Sequence, residues 1–319
     1  MRDFAALLSL CFGLVMTPHS AAAEYPAKPI RLIVPFATGG ASDTAARSLG
    51  QALHKALGQQ IVVDNRPGAN GAIAAQAVLG APADGYTLLW GVASMAALPL
   101  VMKSPPFQSL GDFAPVSMVG QFAFCLVVHP GVPARSVAEF AAYAREHPGK
   151  LNYASSTVAE FRSAAQFMKS AGISMVRVPY KGGAQVMPDL VAGHVQVHFG
   201  TMSSALPYAN DGRLRMLAVL QPRRSPAAPD VSTLAEAGMP DLSVPTWQAV
   251  FAPPGTPRGI VERLSREIAS ALQGSELRGQ YARQLLQIDG STPEALAALI
   301  ETDAVAWKQF VRDNGILPE

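Results

Sequence analysis

The chain has 319 residues, 49% of them apolar and 15% charged, with a formal net charge of +2. That length exceeds what one hydrophobic core usually fills, so two lobes are expected, and a balance so near neutral leaves no footprint for nucleic acid or an anionic membrane surface. Two cysteines, Cys11 and Cys125, exclude a disulfide scaffold.

Met1-Arg2-Asp3 precede an apolar stretch from Phe4 to Met16, followed by Pro18 and Ala21-Ala22-Ala23. This is the pattern of a secretory leader with a small-residue cleavage site, which assigns residues 1–23 to a signal peptide and starts the mature chain at Glu24. The stretch is shorter than the roughly 20 residues a bilayer span needs. Cys11 falls inside the leader, so the mature chain keeps Cys125 alone and forms no internal disulfide.

Next, the apolar run 30–34 predicts a strand. It leads through Pro35-Phe36-Ala37-Thr38-Gly39-Gly40-Ala41-Ser42-Asp43 into a helix whose apolar stripe is Ala45, Leu49, Ala52, Leu53, Ala56 and Leu57. Two adjacent glycines let backbone approach a ligand closely, and the first N–H groups of the helix leave the turn unpaired, which suits an anion. A phosphate loop would carry Lys-Ser or Lys-Thr after its last glycine, and a dinucleotide fingerprint would read Gly-x-Gly-x-x-Gly. Neither is present, and Asp43 places a negative charge where a phosphate would sit. Carboxylate capture is therefore the favoured chemistry, with a helix cap as the alternative role for Asp43.

Further strands are expected at 60–63, 87–90, 124–128, 175–178, 195–199 and 216–220, alternating with helical patterns. The alternation predicts an α/β fold with largely parallel sheets. Gly91-Val92-Ala93-Ser94 follows the 87–90 strand, and the first crossing between lobes is placed at 119–124. Ser136 with Glu139 three positions on reads as a capping box for a helix that stops before Pro148-Gly149. A strand-like Leu151-Asn152-Tyr153-Ala154 enters Ser155-Ser156-Thr157 and a helix over 159–170. Ser155 and Ser156 either end a strand and cap a helix, or form a second donor-rich N-terminus facing the first across a cleft.

Val178-Pro179-Tyr180-Lys181-Gly182-Gly183-Ala184 is again a strand running into a glycine turn. All four loops lie at carboxyl ends of strands, where open α/β sheets bind ligands. Tyr153 and Tyr180 could supply a ring wall, or be partly buried packing residues. Lys181 reads as an exposed turn lysine. The connector 221–226 is the expected return crossing, and Ser291-Thr292-Pro293-Glu294 opens a last helix that ends before Gly315.

Enzyme motifs are missing: there is no Gly-x-Ser-x-Gly elbow, no His-Glu-x-x-His and no Cys-x-x-Cys. His194 and His198 are the only closely spaced histidines of the mature chain, on one face of an expected strand with Gln196. No metal and no cofactor is expected. A hydrolase using Ser42 or Ser155 is the rival from another class.

Taken in order, these stretches resemble the periplasmic substrate-binding proteins of tripartite tricarboxylate transporters, the Bug or TctC-like family. The matching segments are 25–31 (Tyr-Pro-Ala-Lys-Pro-Ile-Arg), Val34-Pro35-Phe36 with Gly39-Gly40 and Asp43, 63–69 (Val-Asp-Asn-Arg-Pro-Gly-Ala) and 83–88 (Ala-Asp-Gly-Tyr-Thr-Leu). Asp112-Phe113-Ala114-Pro115-Val116, the 151–156 loop, Val178 to Gly182, Ser204-Ala205-Leu206-Pro207, Arg224-Ser225-Pro226 and 252–257 (Ala-Pro-Pro-Gly-Thr-Pro) continue the match.

The resemblance implies an α/β, two-lobed type II periplasmic-binding-protein (Venus flytrap) fold with two crossing strands, lobe I from 24–122 and 226–319 and lobe II from 123–225. It implies a monomeric, non-enzymatic receptor that captures a small organic carboxylate and serves integral membrane transporter subunits. A sensor of the same fold signalling to a membrane kinase is the alternative. The binding residues it implies are Phe36, Thr38, Gly39, Gly40, Ser42 and Asp43 from the first loop, and Tyr153, Ala154, Ser155 and Ser156 from the second. Ser94, Arg162, Tyr180, Gly183, Gly200, Thr201 and Trp247 are this chain's further candidates beside those loops.

Three departures from the family pattern bear on the ligand. After the two serines the chain reads Thr157-Val158-Ala159-Glu160-Phe161-Arg162-Ser163, shortened and without the usual glycine. Arg162 could reach a second acidic group of the ligand as a bidentate donor, or pair with Glu160, or face solvent. Phe199-Gly200-Thr201 replaces Phe-Asp-Asn, which removes a polar anchor and enlarges the pocket, and Met95 and Leu98-Pro99 make another wall more apolar. Together they suggest a bulkier or less polar acid than citrate.

Overall fold

A computed structural model describes residues 25–239, 242, 244–316 and 318; the expected leader lies outside them. Ile30–Val34 forms strand β1, with every side chain but that of Arg31 buried. Helix α1 (Ala41–Leu57) packs its Ala45, Leu49 and Leu53 stripe into the core and stops at Gly58, whose φ of 67° only glycine adopts readily. Strand β2 (Ile61–Asn65), helix α2 (Ala72–Leu79), strand β3 (Thr87–Val92) and a short helix α3 (Leu98–Val101) follow. Strand β4 (Ala114–Phe122) passes through Ala123 straight into β5 (Phe124–Val128).

Helix α4 (Val137–Glu146) is capped by Ser136, whose Oγ accepts from the Glu139 N–H; the Glu139 carboxylate reaches back to the Arg135 N–H instead of that of Ser136. Strand β6 (Asn152–Ser155), helix α5 (Val158–Ala171), strand β7 (Val176–Pro179), helix α6 (Gly183–Val191), strand β8 (Val197–Thr201), helix α7 (Met202–Asn210) and strand β9 (Arg215–Val219) build the second lobe. Strand β10 (Trp247–Ala252), helices α8 (Arg258–Gln273) and α9 (Ser275–Arg283), strand β11 (Leu286–Ile288) and helix α10 (Pro293–Asp313) return to the first.

The strands form two sheets: a six-stranded one in the order β11-β4-β10-β3-β1-β2 and a five-stranded one in the order β7-β6-β8-β5-β9. The two sheets with flanking helices are the two-lobed α/β architecture expected. Parallel pairing is less prevalent than anticipated. It is confined to β1 with β2 and β3, and β6 with β7 and β8, whereas every pairing of β4, β5 and β10 is antiparallel. These strands adjoin the crossings, and a chain arriving from the opposite lobe enters each sheet against the direction of the strands laid down by βαβ crossovers.

The first crossing lies within 119–124, at Ala123. The second lies later than 221–226: Val219 bridges Thr233, and Leu234, Leu242 and Val244 bury in the core of the second lobe. The chain reaches the six-stranded sheet only at Trp247. The proline-rich 221–226 stretch is a turn within the second lobe, and the apolar residues beyond it keep the chain there. One helix serves both cores, because Val158 of α5 is buried in the core of the first lobe.

Candidate ligand-binding cleft

Between the two sheets lies a cavity of about 300 Å³. It sits at the carboxyl ends of β1, β3 and β8, the place open α/β sheets reserve for ligands. Its first jaw is the loop after β1, where Phe36, Gly39, Gly40 and Ser42 line the wall. Gly40 is the N-cap of α1 and has no side chain to cap it, so the first-turn N–H groups, which no helix can satisfy internally, are left for a ligand.

This jaw is braced from behind. The Asp43 carboxylate accepts from the Gly39 N–H at 2.9 Å, from Asn65 Nδ2 at 2.8 Å and from Arg47 Nε at 3.1 Å. Asn65 also donates to the Phe36 carbonyl and accepts from Thr38 Oγ1. Burial pushes the Asp43 carboxyl up, but the Arg47, Gly39 and Asn65 hydrogen bonds outweigh it and hold the group below its usual range. Thr38 and Asp43 therefore shape the loop from outside the cavity wall. Gly39, at φ 86°, makes the turn between them.

Across the cavity stand two more helix starts. Helix α6 begins after Gly182 and α7 after Thr201, and neither has a side-chain cap. Gly182, Gly183, Thr201 and Ser204 line the wall there, with Thr201 Oγ1 and Ser204 Oγ 2.8 Å apart. Three uncapped N-termini thus converge on one space, each carrying the positive end of a helix dipole. Among the described residues, none that lines the cavity is Lys, Arg or His.

Helix α5 starts differently. Thr157 Oγ1 caps the Glu160 N–H, and the Glu160 carboxylate accepts from the Ser156 N–H at 2.5 Å and from Ser156 Oγ at 3.0 and 3.1 Å. Glu160 is only 5% exposed and faces the cavity. Of the second loop expected to grip the ligand, Ser156 reaches the cavity; Tyr153, Ala154 and Ser155 do not. Tyr153 is buried in the core of the second lobe, the Ala154 carbonyl faces His198 Nδ1, and Ser155 Oγ accepts from Arg177 Nε at 2.8 Å. They sit inside a central strand whose flanks β7 and β8 claim them.

Four other expected residues also lie off the wall. Arg162 reaches neither the cavity, nor Glu160, nor solvent: its guanidinium stacks 4.7 Å from the Trp307 ring centroid and 5.2 Å from that of Phe310. Tyr180 Oη donates to Asp189 Oδ2 at 2.7 Å, which keeps its ring tip away from the cleft. Gly200 is glycine because a Cβ there would strike the His198 ring. Trp247 turns into the first lobe and donates to Asp303 Oδ2. Met95 and Leu98 are likewise core residues, so the apolar wall comes from elsewhere. Lys181 is exposed, as expected. His194 meets Asp189 and His198 meets a backbone carbonyl, so the two imidazoles share no ligand.

Ser94 lines the cavity, as do several residues not anticipated from sequence. Phe122 and Phe124 flank the first crossing, and Tyr208 and Met187 add apolar surface from the second lobe. Gln248 had a sequence signal, a lone amide in the apolar run of β10. Its Oε1 accepts from Ser42 Oγ at 2.8 Å and from Trp90 Nε1 at 2.9 Å. A register shift in the β4–β10 pairing falls beside it, the kind of irregularity that re-aims a side chain at a site rim. Neither Ser42 nor Ser155 meets a base: Ser42 Oγ donates to the Gln248 amide and Ser155 Oγ accepts from Arg177.

Two lobes closing a cavity lined by helix N-termini have the architecture of a two-lobed solute-binding protein. The chain belongs to the tripartite tricarboxylate transporter family receptors (TctC), whose profile matches residues 45–316. Protein BugT of Bordetella pertussis is 36% identical over 297 residues, covering 91% of this chain and 90% of BugT. A protein of R. palustris solved with adipate is similar in structure with a TM-score of 0.88 at 32% identity, over 93% of this chain and 100% of that one. MatC from Rhodopseudomonas palustris, with bound malate, gives 0.83 at 29% identity, over 90% and 100%. Proteins of this family are substrate-binding proteins and not enzymes.

Proposed function

We propose that this chain is a periplasmic receptor that captures a small organic carboxylate between its lobes and delivers it to the membrane subunits of a tripartite carboxylate transporter. The observation that carries the reading is the convergence of the uncapped N-termini of α1, α6 and α7 on one cavity that offers no cationic side chain. Backbone N–H groups and helix dipoles stabilise a single anionic group there without the strong desolvation of a buried guanidinium or ammonium. Adipate and malate in the two R. palustris structures support an acid as the cargo. The leader pattern of residues 1–23 supports export, and among the described residues no helix is long and apolar enough to cross a membrane. Gly39, Gly40, Ser42, Ser94, Gly183 and Thr201 are the contacts this reading assigns to the ligand, while Ser156 reaches the cavity with its donors turned to Glu160.

A thermal-shift screen of the mature chain against mono-, di- and tricarboxylates tests it. A ligand at about 100 times its Kd adds about 2.7 kcal/mol of stability. If every acid fails while neutral sugars raise the melting temperature, the carboxylate assignment is wrong.

A further inference from the structure

We propose that the cleft selects an acid whose far end is a hydrogen-bond donor (ammonium, amide or hydroxyl) and excludes a second carboxylate. This rests on the carboxylate reading above and narrows it. The ground is the start of α5. Ser156 offers the cavity a backbone N–H and a hydroxyl, a pair suited to a carboxylate, and both are already taken by the chain's own carboxylate, Glu160. The cleft has its second carboxylate built in.

A carboxylate has about four lone-pair positions. The Ser156 N–H goes to Glu160 Oε2, and the single hydroxyl proton is shared between Oε1 and Oε2. Acceptor capacity is left over on a group that faces the cavity and is 5% exposed. No ion pair involves Glu160 among the described residues, and its charge is met by the N-terminus of α5, where it occupies the first turn.

A dicarboxylate would set one anionic end on the α1 loop and the other beside Glu160, with no Lys, Arg or His on the wall to compensate. Like charges meeting in a desolvated space disfavour that ligand strongly. A donor end instead satisfies the free acceptor positions. Phe36, Phe122, Phe124 and Tyr208 also line the cavity and give it an apolar surface for the body of the acid.

Calorimetric titration of the mature chain with length-matched acids tests this: succinate, aminobutyrate and hydroxybutyrate at four carbons, and adipate, aminocaproate, hydroxycaproate and adipamate at six. In at least one length series the donor-ended acids are expected to bind about tenfold or more tighter than the dicarboxylate. Glu160→Ala, which frees the Ser156 donors, should raise dicarboxylate affinity about tenfold and weaken the ammonium acid. Glu160→Gln keeps the shape without the charge and should narrow the gap even if the alanine variant folds poorly. Dicarboxylates binding the wild-type chain as tightly as the donor-ended acids would overturn the selection while leaving the carboxylate receptor intact. If no acid of either kind binds, the carboxylate assignment itself falls.

Discussion

Gln248, on the cavity wall, shows how one amide can brace a site. Its Oε1 accepts both Ser42 Oγ and Trp90 Nε1, tying the first jaw to the sheet below it. Gln248→Leu orphans two buried donors at about 1–3 kcal/mol each, so chemical denaturation should show a loss of about 2–6 kcal/mol along with weaker binding. Gly40 answers to a different constraint. Its φ of −76° suits any residue and a Cβ there would lie 3.5 Å from the Ala37 carbonyl oxygen, so Gly40→Leu should fold with a Tm within about 2 °C of wild type. Its side chain would occupy the cleft and lower ligand affinity about tenfold or more. Asp43 carries the pH dependence of the jaw. Its carboxyl titrates below the usual range when folded, so its contribution is fully present above the unfolded value near 3.9 and is lost as pH falls through the folded one. Below about pH 4 the wild-type chain should lose stability more steeply than Asp43→Asn, measured by urea melts across pH.

At the scale of elements, α5 is the unusual helix, because its side chains enter both cores. Arg162 lies against Trp307 and Phe310 of α10, with Nε and Nη1 finding no hydrogen-bond partner among the described residues, and Asp303 on the same helix supplies a compensating charge. Burial lowers the Arg162 pKa and raises that of Asp303, with the Trp247 hydrogen bond and Arg162 opposing the second shift. Arg162→Met should cost about 1–3 kcal/mol where Asp303 is ionised. The loss should shrink as pH falls through the raised Asp303 value, and Asp303→Asn in the same chain should recover much of it. None of this was readable in advance, since Arg162 and Asp303 are distant in sequence and meet only by tertiary packing. What could be read was local: strands β1 and β5, the α1 stripe, the Ser136 cap and the glycine loop all follow from periodicity and turn chemistry. Ser155-Ser156 carries the composition of a donor loop, but only tertiary structure shows that the Ser156 donors turn to Glu160 while the helix starts at Gly182-Gly183 and Thr201 keep no side-chain cap.

For the whole molecule the question is closure. The two jaws stand close enough that a Cβ added at Gly182 of the second lobe would sit 3.8 Å from the Ala37 Cβ of the first. The crossing at Ala123 and the later one at 244–247 are the only short links from sheet to sheet along the described chain, so lobe opening must turn about them. Under the proposed function, a ligand bridging α1 with α6 and α7 would bind the closed form better than the open one, and that difference is what a membrane partner would read. Gly182 has an extended φ of 176°, which any residue adopts, so Gly182→Phe should fold normally and fail only where its ring meets Ala37. Small-angle scattering should show the wild-type chain contracting on saturation with its acid and the variant staying expanded. The ligand-induced gain in Tm should fall in parallel, because the jaws can no longer hold the carboxylate between them. Equal contraction in both proteins would mean that the 182–183 turn does not meet the first jaw, and that α7 alone closes against it.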